Sequence, residues 1–157
     1  MVLAFGHLIG AWLIGKFVEI TTKKKISQNT WVFLILGSIL PDFDFVLQLL
    51  FQTHLHRGIT HSIFFAIIVP MFVYFIFKFI KNKKAANYAL FLSVGILVHL
   101  LLDFPSPEGI PLLWPYAKMF IPAVSLETSR LLFDVMIDSI LGVSWIFYLA
   151  LKKRIQF

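Results

Sequence analysis

Cysteine is absent from this sequence, and charged residues are scarce. The missing cysteines exclude disulfide bonds and thiolate chemistry. Only 14% of the 157 residues are charged and 59% are hydrophobic, whereas a soluble domain has about 25% charged residues. A water-soluble fold of this length could not bury so much apolar surface in one core. The composition therefore predicts a protein that is embedded in a lipid bilayer.

The hydrophobic residues are collected in five long runs. Each run is close to the ~20 residues that a helix needs to cross a hydrocarbon core of about 30 Å. The fold class is therefore predicted to be all-α, a polytopic membrane helical bundle with about five transmembrane helices. Residues 1–157 would form a single integral membrane domain. The predicted spans are residues 2–20, 31–51, 61–80, 86–104 and 131–151.

Lysine and arginine give the chain a formal net charge of +6 and lie in short clusters between the apolar runs. The clusters at residues 23–25, 81–84 and 152–154 fall on one side of an alternating bundle. Positive charge is enriched in cytoplasmic loops, so the N-terminus is predicted to be outside and the C-terminus inside. Because topology explains the positive charge, no nucleic-acid partner is expected. The oligomeric state stays open.

A set of histidines and aspartates lies inside or beside the predicted spans, where ionisable groups are costly and usually mark function. At 1.5 Å per helical residue, Asp42 lies roughly 16 Å from the cytoplasmic start of its span. His99 and Asp103 lie about 20 and 26 Å along theirs. Alternating spans bring the set into one layer, predicted to face the extracytoplasmic side. The set is His7, Asp42, Asp44, His56, His61, His99, Asp103, Asp134 and Asp138.

Imidazole nitrogen and carboxylate oxygen together suit zinc, manganese or iron. His99 and Asp103 are four residues apart, so they share a helix face and can serve one metal centre. Gly95 on the same face would allow a neighbouring helix to approach closely. Pro41 breaks the hydrogen-bond ladder just before Asp42, and such backbone is tolerated in a membrane only where it is buried or lines a cavity. These features predict a metal centre between helices.

A polar segment precedes the third span, with the sequence HRGITHS at residues 56–62. Thr60 is predicted to be the N-cap of the following helix, which would place His61 in its first turn. Arg57 is a permanently charged, planar donor that could hold a phosphate or a carboxylate. The segment is therefore expected to border the same centre.

Five motifs occur in the order of a known family. The chain resembles the YdjM-like inner-membrane proteins, a family regarded as metal-dependent hydrolases. Phe45 is a departure, because family members often carry a histidine at that position. The motifs are GH at 6–7, LPDFD at 40–44, HRGITHS at 56–62, HLLLD at 99–103 and PEGIPLLWP at 107–115.

The resemblance implies a prokaryotic protein of the inner (plasma) membrane with one to three divalent ions, zinc first and manganese second. The family is remotely similar to helical zinc phospholipases C and single-strand nucleases. That similarity implies phosphoester hydrolysis. A pocket at the predicted depth suits a substrate that arrives laterally from the bilayer, so a phospholipid or lipid-linked phosphate is expected as the substrate. Asp42 and Asp44 would contribute the general base, and Arg57 would bind the anion. The expected metal ligands or their close partners are His7, Asp42, Asp44, His56, His61, His99 and Asp103.

Two other functions fit the same residues. Intramembrane aspartate and histidine also build proton relays and ion pathways in transporters. A structural metal in a non-catalytic scaffold would use the same ligand types. Asp134 and Asp138 could orient the histidines, or they could pair with Lys118 or Arg130. The sequence leaves both questions open.

Overall fold

The computed structural model describes residues 4–45, 48, 58–105, 109–116 and 130–152, with backbone alone for residues 4 and 130–134. These residues are overwhelmingly helical and contain no β-strand, which confirms the all-α class. A short 3-10 helix, Ile59–His61, precedes the third long helix. The helices are α1 (Ala4–Thr22), α2 (Gln28–Ile39), α3 (Ile63–Phe79), α4 (Ala85–Asp103) and α5 (Arg130–Leu151).

The second predicted span is not one continuous helix. Helix α2 has 12 residues and ends at Ile39, and residues 43–45 are helical again. Between them the backbone bonds are of the i to i+3 type, such as Phe43 N to the carbonyl of Leu40 at 3.1 Å. Pro41 causes the break because it has no N–H to donate and its ring crowds the preceding turn. The predicted break before Asp42 is confirmed.

Helix α4 is long and apolar enough to cross a membrane, with a mean hydropathy of 1.9. It is the one helix within the described ranges that meets both conditions. Two other apolar stretches, Ile63–Phe79 and Val135–Leu151, are shorter. Helix α1 also carries Lys16 and Glu19 in its second half. The five-span topology therefore stays a prediction.

Helices α2 and α4 pack closely because glycine faces glycine. A Cβ atom on Gly95 would lie 2.2 Å from the carbonyl oxygen of Leu34, and one on Gly37 would lie 2.3 Å from that of Leu92. Only glycine permits such backbone contact between helices. The close approach predicted at Gly95 is confirmed, and it brings the last turns of α2 and α4 side by side.

Helix α1 packs on the same pair of helices near its own start. A Cβ atom on Gly10 would lie 2.8 Å from Cδ1 of Leu102, so α1 also approaches α4 closely. His7 lies one turn before Gly10, and its side chain is completely buried. The first turns of α1 thus meet the last turns of α4.

Helix α3 begins with a side-chain cap, close to the first turns of α1 and the last turns of α4. Ser62 is the N-cap, because its Oγ accepts a hydrogen bond from Phe65 N. The prediction that Thr60 caps this helix is therefore wrong. The loop at 109–116 supports the helix start, since the carbonyl of Leu112 accepts from Ile63 N at 3.0 Å. This arrangement places His61 just outside α3 and facing the bundle.

The outer surface of α3 is strongly apolar. Phe72 is 66% exposed and Phe79 is 88% exposed. Neighbouring side chains on the helix, including Ile67 and Met71, are at least half exposed. A contiguous surface of this kind marks contact with a membrane or a protein partner. The composition favours lipid.

Candidate metal centre

Four side chains meet where the ends of the helices come together. Asp42 follows the break at the end of α2, His61 ends the 3-10 helix, and His99 and Asp103 lie in the last two turns of α4. Each offers one ligand atom, and these four atoms lie within 4.8 Å of one another. Residues up to 61 positions apart in the chain therefore form one cluster, as the depth argument predicted.

The spacing of these atoms suits a small divalent ion. The two Nε2 atoms of His61 and His99 are 3.3 Å apart. Oδ1 of Asp42 is 3.7 Å from each of them. Oδ2 of Asp103 is 3.6 Å from each of them. Ligand atoms bound about 2.1 Å from a tetrahedral zinc ion lie about 3.4 Å from one another. The cluster therefore fits such an ion with little rearrangement.

A backbone carbonyl fixes the tautomer of His99. Nδ1 of His99 lies 2.8 Å from the carbonyl oxygen of Ser38 on α2. A carbonyl only accepts, so Nδ1 must carry the proton and donate it. Neutral His99 then has an unprotonated Nε2, which points into the cluster and can act as a ligand. The contact between α2 and α4 thus sets the chemistry of this imidazole.

The tautomer of His61 is fixed by a relay through Thr60. The Thr60 hydroxyl donates to Oδ2 of Asp44, so its oxygen is free to accept. Nδ1 of His61 lies 3.1 Å from that oxygen and 3.4 Å from Oδ2 of Asp44. Nδ1 therefore carries the proton in neutral His61, and Nε2 is left unprotonated. Such carboxylate–histidine arrangements typically orient metal ligands.

The two relays leave an electrostatic conflict inside the cluster. When both rings are neutral, each Nε2 carries a lone pair and no proton, and the two atoms face each other at 3.3 Å in a buried position. In that state neither nitrogen can donate to the other, and the nearby carboxylates add further negative charge. Oδ1 of Asp42 is also buried without a hydrogen bond from any described residue. A cation between these atoms removes the conflict.

His7 lies on the other side of the two carboxylates. Its ring stacks on that of His99, with centroids 3.9 Å apart. Its Nε2 is 3.4 Å from Oδ1 of Asp103 and 4.0 Å from Oδ2 of Asp42. Neither ring nitrogen of His7 forms a hydrogen bond with the described part of the chain. Each carboxylate thus turns one oxygen to the His61–His99 pair and the other to His7.

The four side chains of the cluster differ in their exposure to solvent. The side chains of His61, His99 and Asp103 are completely buried, whereas that of Asp42 is 18% exposed. Among the described residues that are close in sequence to Asp42 and His61, Phe43 and Ile59 are apolar and exposed, at 58% and 45%. The centre is therefore open at Asp42, which directly precedes the exposed Phe43.

Some of the predicted site residues do not belong to the four-residue cluster or lie outside the described residues. Asp44 lies beside Nδ1 of His61, on the side of the ring away from the other ligand atoms, so it is placed as a close partner of a ligand. His56 and Arg57 lie outside the described residues, as does the side chain of Asp134. Asp138 is on α5, partly buried, and does not belong to the four-residue cluster.

Sequence reasoning missed two parts of the centre. The carbonyl of Ser38 carries no signal in the sequence, because every residue has a carbonyl group. Thr60 was assigned to a helix cap, although its hydroxyl contacts Asp44 and His61 instead. The signal that was available is the position of Thr60 directly before a predicted ligand.

Comparisons with known proteins support the prediction that this is a membrane protein. The sequence model of a family described as the YdjM inner membrane protein matches residues 1–155 of this chain. The inner membrane protein YbcI of Escherichia coli (strain K12) is 36% identical over 97 residues. That alignment covers 56% of this chain, and the chain spans 56% of the length of YbcI. No solved structure matches the chain.

Proposed function

The chain belongs to the YdjM inner membrane protein family, and we propose that it is a membrane-embedded, metal-dependent hydrolase acting on a phosphoester of a lipid or lipid-linked substrate. One observation carries the proposal. The Nε2 atoms of His61 and His99 lie 3.3 Å apart, and one oxygen each of Asp42 and Asp103 lies within 4.8 Å of them. This donor set suits a divalent metal, with zinc first and manganese second.

The residues that would hold the ion are the four of the cluster. Nε2 of His61 and Nε2 of His99 would bind it together with one oxygen each of Asp42 and Asp103. A zinc ion held by these residues would lower the pKa of a bound water to about 7 and polarise an ester group. The oxygen of Asp103 that faces His7 would be available, together with His7, for a second ion.

Asp42 is the side chain that can act on a substrate, because it is the exposed corner of the cluster. Its free oxygen would accept a proton from the attacking water, as a general base does. The water oxygen would bond to phosphorus, the ester P–O bond would break, and the leaving oxygen would take up a proton. Arg57, predicted to bind the anionic group, would counter the charge of the phosphate.

The surroundings of Asp42 favour a substrate from the bilayer. The exposed Phe43 and Ile59 adjoin the open corner, and neither can hydrogen-bond to a sugar or a peptide. Apolar rims of this kind retain acyl or isoprenoid chains through the hydrophobic effect. The phosphate would then reach Asp42 while its chain stays in lipid.

A structural metal in a non-catalytic scaffold is the strongest rival, because three of the four ligands are completely buried. Structural sites are closed, whereas catalytic sites keep one open position. The exposure of Asp42 favours the catalytic alternative, because a water could reach the ion on that side and bind as a fifth ligand.

A transporter is the second rival, and it needs polar groups that continue to the other side of the membrane. Lys16 and Glu19 lie on that side, but they pair with each other at 2.8 Å. Glu19 also accepts from Ile26 N at 2.9 Å, which ties the α1–α2 loop to α1. Their contacts therefore suit a structural role at the end of α1.

The test compares Asp42→Asn with Glu19→Gln in proteoliposomes. Both variants change a carboxylate to an amide. Glu19 lies near the C-terminal end of α1, whereas the metal centre lies beside the N-terminal end of that helix. A panel of glycerophospholipids and polyprenyl phosphates is incubated with zinc or manganese, and released products are measured by mass spectrometry. Asp42→Asn is expected to lose turnover at least 100-fold with its helix content intact, while Glu19→Gln keeps it. Equal turnover in Asp42→Asn and the unsubstituted protein would contradict the proposal.

A further inference from the structure

A cavity lined by three lysines lies at the other end of the bundle. It has a volume of about 370 Å³ and is formed where the α1–α2 and α3–α4 connections meet. Lys24 and Lys25 come from the first connection and Lys84 from the second. Along α4, Lys84 is 15 residues before His99, which corresponds to roughly 22 Å. The cavity is therefore separate from the metal centre.

The charge of this cavity is uncompensated among the described residues. Three lysines line it, and its lining includes no carboxylate. The nearest acid along α1 is Glu19, which is already engaged by Lys16 and by the backbone of Ile26. Like charges that share a cavity repel one another, so an anion between them is stabilised.

The rest of the lining adds hydrogen-bonding groups and an apolar wall. Asn87 contributes an amide group to the lining. The hydroxyls of Thr22 and Ser27 also belong to lining residues, and they bond to the Val18 carbonyl and to Thr30. Val18 and Phe91 line the cavity on the side of the helices α1 and α4. A soluble phosphate needs only the polar part. A molecule with an anionic head and a hydrocarbon chain uses both parts.

The position of the cavity suits a lipid headgroup. It lies at the ends of apolar helices, which is the level of the bilayer interface, on the side that the lysines predict to be cytoplasmic. The cytoplasmic leaflet is rich in anionic lipids, and basic pockets between helices bind their headgroups. We propose that this lysine cavity binds the phosphate of an anionic phospholipid. The proposal does not depend on hydrolase activity.

The binding test uses the detergent-purified full chain and short-chain phosphatidylglycerol, followed by native mass spectrometry. Lys24→Gln, Lys25→Gln and Lys84→Gln are combined in one cavity variant. The matched control combines Lys23→Gln, Lys81→Gln and Lys83→Gln, which removes the same charge from the same two connections but does not alter the cavity lining.

We expect the cavity variant to bind phosphatidylglycerol at least tenfold more weakly and the control variant to change less than twofold. Equal weakening in both variants would show unspecific charge attraction and overturn the proposal. Equal binding of phosphatidylcholine and phosphatidylglycerol by the unsubstituted chain would also overturn it. Glycerol phosphate that displaces the lipid at the same concentration would assign the cavity to a soluble phosphate instead, against the proposal.

A second measurement uses only the unsubstituted chain, so its result does not depend on whether the variants fold. The unsubstituted chain is irradiated with a phosphatidylglycerol whose acyl chain carries a photoactivatable group, and the labelled peptides are sequenced. Label on the segments that contain Val18 and Phe91 is expected, because these side chains form the apolar wall. Label confined to other segments would contradict the assignment.

Discussion

Replacing Gly95 by alanine tests whether the contact between α2 and α4 sets the geometry of the metal centre. The new Cβ would lie 2.2 Å from the carbonyl oxygen of Leu34, whereas ordinary contacts begin at 3.4 Å. The obstacle is backbone, so it cannot rotate away as a side chain would. The two helices would have to separate by about 1 Å.

That separation acts directly on His99. Its Nδ1 is held 2.8 Å from the carbonyl of Ser38, and an additional ~1 Å takes this distance beyond the range of a hydrogen bond. The His99 ring then has no fixed tautomer, and its Nε2 has no fixed direction. Loss of such an orienting partner typically weakens metal binding about 10–100-fold. Overpacking of the helix contact should also lower stability by about 1–3 kcal/mol.

The assay measures zinc affinity by competition with a chromophoric chelator, and thermal unfolding by circular dichroism. Gly142→Ala is the matched control, because a Cβ atom there meets nothing within 4 Å. This control should keep its zinc affinity and gain up to about 1 kcal/mol of helix stability. A Gly95→Ala protein that unfolds more easily but binds zinc as tightly as the unsubstituted chain would refute the link between packing and metal binding.

Two smaller changes test the local supports of His61. Thr60→Val removes the hydroxyl that joins Nδ1 of His61 to Asp44, so zinc affinity in the same competition assay should fall about tenfold; an unchanged affinity would exclude the relay. Ser62→Ala removes the cap of α3 and should cost about 1 kcal/mol in chemical unfolding. A Ser62→Ala protein of full stability would mean that the Leu112 contact alone holds the helix start.

Much of the fold follows from local rules. The runs that predict α1, α3, α4 and α5 agree with the observed helices to within two residues at each end, because an apolar run ends where charged loops begin. Pro41 and Gly95 act through backbone geometry, so their effects could be predicted without knowing the partner helix. The convergence of His7, Asp42 and His99 follows from helical rise together with the alternating direction of the predicted spans.

The finer features of the centre depend on tertiary contacts. Thr60 and Ser62 are both good cap residues, and the choice of Ser62 depends on the Leu112 carbonyl, which meets the start of α3 from a distant loop. The tautomer of His99 depends on a carbonyl 61 positions away. The sequence does not show whether Asp44 binds the metal or supports a metal ligand. The structure places Asp44 beside Nδ1 of His61, which makes it a supporting residue. None of these contacts has a pattern in the sequence.

Metal content is the most direct test of the proposed centre. The chain is purified in detergent without chelators and measured by elemental mass spectrometry, beside a variant that combines His99→Ala and Asp103→Ala. The geometry predicts at least about one equivalent of zinc or manganese in the unsubstituted chain, with loss of that metal in the variant. No bound metal in either protein, even after zinc or manganese is added, would contradict a metal centre at Asp42, His61, His99 and Asp103.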